Sequence, residues 1–329
     1  MDRDRSEVHI RIPATSANLG PGFDVLAVAL SVDSILSVKA ADDYSYGFQG
    51  EWDEKWNEIA VGMAQACSEV FYKKTGIEEM PVSISLDSRV PVARGLGSSA
   101  IIFVGLLHAL NELHNRPLCA EDLLNLAVRL EGSPDNASAA MLGGFTVSST
   151  IDGKLRYRRF PVSEKLRFIG LVPAAEVTTD SARAIFPETI QRCDAILNAA
   201  RSALIVSAFA QQDYESLKGL FRDVFHQPYR ERHYPELRTL SAVIHAAEEA
   251  GVEALAVLGH QTRRHRHTRL AQAIQSTTGH PRIGIGGGRH HPGDAGLDQG
   301  IGAGRGAPVV AAGLKGDIGR GPGRIAACL

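Results

Sequence analysis

Pro91-Val92-Ala93-Arg94-Gly95-Leu96-Gly97-Ser98-Ser99-Ala100, running straight into an apolar stretch from Ile101 to Leu113, leaves this chain of 329 residues the fewest architectures. Small residues let main-chain amides close on an anion, and a helix beginning behind them aims its positive end at the same point. Val82, Ile84 and Leu86 alternate with polar neighbours ahead of the turn, as a half-buried strand does. Strand, glycine turn and buried helix therefore follow in order, and the turn is suited to phosphate. The Lys-Ser/Thr ending of a Walker loop is absent, as is the full spacing of a dinucleotide fingerprint, so a P-loop NTPase and a Rossmann dehydrogenase both fit poorly. Tight strand-to-helix packing is the plain structural alternative for a short glycine-serine motif.

Two further segments carry groups suited to chemistry. Pro13 to Asp24 reads as a polar, glycine-bearing loop after a first strand at Val8 to Ile12; within it Asn18 can donate and accept hydrogen bonds and Asp24 can grip an ammonium group. Such a loop can equally be scaffold, since loops often but not always carry function. Glu131-Gly132-Ser133-Pro134-Asp135-Asn136, followed by Gly143-Gly144, places an acid at a helix end and more polar groups in the next turn. Magnesium favours few carboxylates together with phosphate oxygens, so Glu131 and a serine of the glycine turn make a workable pair. Capping and turn chemistry would favour Asp and Asn here as well.

The rest of the chain supports an α+β architecture of two domains sharing a cleft. Strands are expected at Ile35 to Val38 and Phe145 to Ser149, and helices around Ile59 to Tyr72 and over Ala120 to Glu131, where Leu123, Leu126, Ala127 and Leu130 form one stripe. Asp152-Gly153 signals a turn, and the first domain is expected to end near residue 155. Beyond it the pattern predicts a strand at Phe168 to Val172 and helices near Glu188 to Ala210, Tyr214 to Phe225 and Pro235 to Ala250. Strands and helices do not alternate strictly, which favours α+β layers over a doubly wound sheet. From Gly259 the character changes: about half of the 33 glycines and 12 histidines lie there, with no glutamate and no aromatic residue, so the segment has little to bury.

Composition narrows the partners. With 44% hydrophobic and 22% charged residues a buried core is within reach, and a formal charge of -2 gives no global pull toward nucleic acid or a membrane. The charged start MDRDRSEVHI and the lack of a long apolar run predict a cytoplasmic protein that does not span a bilayer. Cys67, Cys119, Cys193 and Cys328 lie far apart and read as reduced thiols.

Taken together, the three motifs stand in the order and approximate spacing of the GHMP kinase superfamily, and their wording most resembles the homoserine kinase family. The loop at Pro13 to Asp24 resembles that family's substrate loop, PVARGLGSSA its ATP loop, and EGSPDN with GGF its EGHPDN segment. Thr179-Asp180-Ser181-Ala182-Arg183 and His226-Gln227-Pro228-Tyr229-Arg230 extend the likeness, which covers roughly residues 8 to 258. The resemblance implies a GHMP kinase N-terminal mixed-sheet domain over 1–155 that binds ATP and substrate, and a C-terminal ferredoxin-like α/β sandwich over 156–258, left incomplete by an atypical tail at 259–329. It implies ATP held by Pro91, Val92, Ala93, Arg94, Gly95, Leu96, Gly97, Ser98, Ser99 and Ala100, and magnesium held by Ser99 and Glu131. The implied acceptor is L-homoserine, contacted by Asn18, Asp24 and Thr179 and held at its carboxylate by Arg183 and Arg230. Asn136, with Glu131, takes the catalytic role; an amide can orient the reacting hydroxyl but cannot accept its proton. The partner is thus a small molecule, with no nucleic acid or membrane, and a homodimer is left open.

Two departures stand against this resemblance. Ser133 occupies the place of the family's histidine, and Leu258-Gly259-His260-Gln261-Thr262-Arg263-Arg264 stands where a glycine-rich LSGAGPT-like motif is expected. The second coincides with the change in composition, which points either to a reading-frame shift near residue 258 or to a divergent tail.

Overall fold

The structure, a computed structural model, describes residues 7–50, 54–164, 166, 168 and 185–233, and beyond them the backbone alone of Glu253–Ala256, Ile285–Gly286 and Ile325–Cys328. A mixed sheet is built from β1 (Glu7–Ala17), β2 (Leu26–Ala40), β3 (Ser45–Gln49), β4 (Val82–Ser88), β5 (Phe145–Ile151) and β6 (Lys154–Phe160). Its order is β3-β4-β2-β1, with β5 on β2, β6 on β5, and the short β8 (Ile285–Gly286) on the outer edge of β1. Only β3 and β4 run parallel within it. A separate pair joins β7 (Glu253–Ala256) to β9 (Ile325–Cys328).

β1 is longer than its apolar alternation suggested. It continues through Pro13-Ala14-Thr15-Ser16-Ala17, so half of the expected substrate loop is strand, and the turn proper begins at Asn18. The ladder to β2 slips between Pro13 and Thr15, where proline has no amide hydrogen to contribute. There Thr15 donates its amide instead to the Leu96 carbonyl at 3.1 Å, which fastens the glycine loop to the sheet.

α2 (Ser98–Leu113) lies over the sheet with α1 (Glu54–Thr75) and α3 (Ala120–Glu131) against its other sides. Being covered along most of its length, it is largely apolar: Ala100, Leu106, Leu107, Ala109 and Leu110 have no exposed surface. Gly105 lets helix and sheet approach, because a Cβ there would stand 2.8 Å from Ile12 Cδ1. α1, the helix expected around Ile59 to Tyr72, instead buries a single stripe that includes Ala60, Ala64, Cys67, Phe71 and Tyr72.

Several elements differ from the sequence reading. α4 (Pro134–Leu142) was not expected; Pro134 suits a first helical position and Asp135 the first turn, but the run is short and its alanines carry no periodic signal. Strands β3 and β6 were missed because SYGFQ and KLRYRRF, respectively, are polar edge segments. The helix expected over Tyr214 to Phe225 reduces to one 3₁₀ turn, Glu215–Leu217, because Gly219 turns left-handed at φ 73° and the following residues wrap around the Asp223 carboxylate. A short helix, here α6 (Gln227–His233), follows instead. The strand expected at Phe168 to Val172 and the helix at Pro235 to Ala250 lie, in large part, outside the described residues, as does the Leu258–Arg264 segment.

α5 (Arg192–Gln211) is long and apolar enough to cross a bilayer by length and composition alone, contrary to the expectation that no such run exists. Its contacts give it another use: Ile205, Ala208 and Phe209 are buried in the main core, and Asn198 is buried and hydrogen-bonded to Asp223 at 2.8 Å. That core is one continuous cluster from Val8 through Phe145 to Leu217 and Phe221.

Candidate active site

The glycine turn divides its residues by surface. Val92, Leu96 and Ala100 are buried and anchor it, whereas Gly95, Gly97, Ser98 and Ser99 stay part-exposed. Ala93, Gly95 and Gly97 have φ of 60°, 73° and 70°, a left-handed alternation that bulky side chains resist. Ala93, the one of the three with a Cβ, is held there by its amide hydrogen bond to Ser98 Oγ at 3.1 Å. Gly97 is also fixed by space, since a Cβ would collide with Thr15 Oγ1. α2 begins behind it with no side-chain cap and no acidic residue of its own in its first turn, which leaves its positive end facing the turn.

Glu131 ends α3 just before Gly132, at φ 79°, stops the helix. A carboxylate at a helix C-terminus opposes the macrodipole, a cost of about 0.3–1 kcal/mol, so its position argues for a local use. Its Oε1 accepts a 2.6 Å hydrogen bond from Ser99 Oγ, which puts hydroxyl and carboxylate oxygens side by side at the mouth of the glycine turn. Hard oxygen donors in this number suit magnesium completed by phosphate oxygens and water. Among the described residues no group of three or more His, Cys, Asp or Glu could hold a metal unaided.

The opposite wall comes from the Asn18–Val25 turn and α4. Asn18 and Asp24 are both left-handed, at φ 58° and 54°, and the Asp24 amide donates to Asn18 Oδ1 at 2.9 Å, so the two side chains are set by one compact turn. Asn136 lies between this wall and the glycine turn. Its Oδ1 accepts from Thr15 Oγ1 at 2.8 Å and stands 3.3 Å from where a Gly97 Cβ would be. Asp135, which the sequence reading assigned no role, is only 1% exposed. Burial first, and then the neighbouring Asp24 charge, push its carboxyl above the ordinary range, while hydrogen bonds from Ser133 Oγ and the Asn136 amide partly offset this. The Asp24 charge is close enough to be felt at Asp135. In the Ser133 position, the hydroxyl thus serves Asp135, at 2.8 Å.

Arg230, on α6, is 6% exposed and lies 5.9 Å from the Phe23 ring and 5.4 Å from the Phe186 ring, so aromatic faces cover it next to the turn that carries Asp24. Of the expected site residues, Asn18, Asp24, Ser99, Glu131, Asn136 and Arg230 are thereby linked by contacts to the glycine turn or to the neighbouring Asn18–Val25 turn. Thr179 and Arg183 lie outside the described residues. Thr15, Asp135 and His226 were missed: the first sits in a strand, and the other two are revealed by burial, which has no local signature in sequence.

A phosphate-suited glycine turn between a strand and a buried helix, faced by a serine–glutamate pair, defines a small-molecule kinase of the GHMP class, and residues 59–144 match the family described as GHMP kinases N terminal domain. The homoserine kinase of Clostridium botulinum (strain Okra / Type B1) is 40% identical over 226 residues, which is 68% of this chain and 74% of that one. The homoserine kinase of Caldanaerobacter subterraneus subsp. tengcongensis is 39% identical over 238 residues, 71% of this chain and 76% of that one. The crystal structure of homoserine kinase from Cytophaga hutchinsonii superposes with a TM-score of 0.64 at 25% identity, covering 75% of this chain and 80% of that one. The chain belongs to the homoserine kinase family.

Proposed function

We propose that this chain transfers the γ-phosphate of ATP to the hydroxyl of L-homoserine, giving O-phospho-L-homoserine, a step of threonine biosynthesis. The observation that carries this reading is the place of Asn136, held by Thr15 between the glycine turn and the Asp24–Asp135 corner. A zwitterionic amino alcohol matches the cleft: its ammonium meets Asp24 and Asp135, its carboxylate meets Arg230, and its hydroxyl reaches Asn136. A guanidinium fork is well suited to a carboxylate. Thr179 and Arg183 are proposed to complete the clamp from the second half of the chain, within the two-domain division at residues 1–155 and 156–258.

Phosphoryl transfer depends chiefly on alignment and charge neutralisation, so no strong base is needed. The amides from Gly95 to Ser99 cradle the triphosphate and the start of α2 faces its charge. Ser99 and Glu131 would hold magnesium, which when bound neutralises phosphate charge. Asn136 orients the acceptor oxygen, and its proton leaves to phosphate or solvent.

The missing LSGAGPT-like motif favours a second reading, in which the chain binds nucleotide but does not turn over. ADP release from the purified full chain, measured with L-homoserine, mevalonate and a hexose as acceptors, separates the cases. Homoserine-dependent release well above the other alcohols is expected. Release driven by a different alcohol would overturn the substrate, and calorimetric ATP binding without homoserine-dependent release would leave the second reading standing.

A further inference from the structure

His226 is fully buried, and nothing in the proposed reaction uses it. Its Nε2 lies 2.8 Å from the Gly20 carbonyl oxygen, in the turn between Asn18 and Asp24, and its Nδ1 lies 3.2 Å from Arg230 Nη1. A carbonyl can only accept and a guanidinium can only donate, so the two contacts together require the neutral imidazole with its single proton on Nε2. Asp223 Oδ2, 3.6 Å from Nε2, favours the same tautomer.

The surroundings fix this ring from every side. Asp223 accepts from the amides of His226 and Gln227 at 2.7 Å each, and from Asn198 Nδ2 at 2.8 Å, so the turn before α6 is tied to α5. Gly20 cannot retreat, since even a Cβ there would lie 2.6 Å from the Phe221 carbonyl oxygen. Ser202 holds the next residue of the turn by donating to the Pro21 carbonyl at 2.9 Å. Phe23 lies over both His226, with centroids 5.3 Å apart, and Arg230. Burial and the Arg230 charge both hold the imidazole below its usual pKa, in keeping with a neutral ring.

We infer that His226 is a positioning residue: an Nε2-protonated imidazole that measures the gap between the Asn18–Asp24 turn and Arg230 and aims the guanidinium at the substrate carboxylate. This rests on the proposed acceptor and adds a residue that sets its selection. The ring couples the ammonium and carboxylate ends of the clamp, so its loss weakens recognition of the carboxylate without touching the phosphate side.

Two measurements on the full chain test it. The first compares L-homoserine with 3-aminopropan-1-ol, which lacks the carboxylate, by KM and kcat in the wild type, His226→Ala, His226→Gln and His226→Asn. The wild type is expected to prefer homoserine. His226→Ala should cut that preference by about tenfold or more, through the KM for homoserine, with the KM for ATP and the kinetics of the amino alcohol little changed. His226→Asn, which can return an acceptor near the Nδ1 position, should recover part of it, and His226→Gln less. A purely structural role would depress both acceptors alike, and that result, or an unchanged preference in His226→Ala, overturns the inference. A wild type with no preference for homoserine overturns the proposed acceptor and this inference with it. The second is the long-range ¹⁵N–¹H spectrum of the histidine rings near neutral pH, the His226 signal assigned from its loss in His226→Asn. An Nε2-protonated neutral ring is expected whether or not the chain turns over, and an imidazolium or the Nδ1 tautomer overturns the assignment.

Discussion

Ser99 and Glu131 come from different helices, yet their oxygens meet at 2.6 Å, and the carboxylate sits where the dipole of its own helix disfavours it. If that pair serves a divalent cation beside the phosphates, Glu131→Gln should leave ATP affinity without magnesium close to wild type and abolish most of the gain magnesium gives. The expected loss is about tenfold or more, the worth of one charge-assisted contact. Calorimetric titration of ATP with and without magnesium reads this directly; an equal loss in both conditions would instead mark Glu131 as a loop support. This pair was legible in the sequence because both members sit in short motifs of small and polar residues. Asp135 and His226 were not, because their significance comes from being buried against Asp24 and between Gly20 and Arg230, partners that sequence separation hides.

Among the elements, α2 and α3 were foreseen nearly to the residue, since a long apolar run after a glycine turn and a clean leucine stripe admit few alternatives. The stretch after α5 was misread because its apolar spacing looks helical, while Gly219 and the Asp223 cap, which decide its path, act one residue at a time. α2 also carries one polar group that its burial penalises. Burial pushes the His108 imidazole from 6.5 down to about 4, against a smaller upward pull from Glu112, and its Nε2 has no hydrogen-bond partner. The folded state therefore resists a proton that the unfolded chain accepts, so stability from this group is present above about pH 6.5 and falls away as pH drops toward 4. His108→Leu should remove that dependence. In urea titrations the variant is expected to gain about 2 kcal/mol on the wild type between roughly pH 7 and pH 5. Parallel losses in both proteins over that range would show that His108 is protonated freely in the folded state.

At the scale of the molecule, the sequence suggested a break near residue 155, but nothing local could show how the core runs past it. Phe145 of β5 stacks on Phe209 of α5 with centroids 3.9 Å apart and planes 7° from parallel, and Tyr214 closes on the other edge at 5.6 Å. Leu217 and Phe221 carry the same cluster toward the turn at Gly20, so the residues that aim Arg230 rest on packing shared with the sheet. Removing the Phe209 ring, 1% exposed, should cost about 3–5 kcal/mol. Where that cost appears is the informative part. Both tryptophans, Trp52 and Trp56, precede β4, far in sequence from α5, so their fluorescence reports the first half of the chain. If the shared core makes one cooperative unit, Phe209→Ala should lower the urea midpoints by fluorescence and by far-ultraviolet circular dichroism together. A dichroism transition that moves while the fluorescence midpoint stays in place would mean the halves unfold separately, and that the stack joins them only in the folded state without coupling their stability.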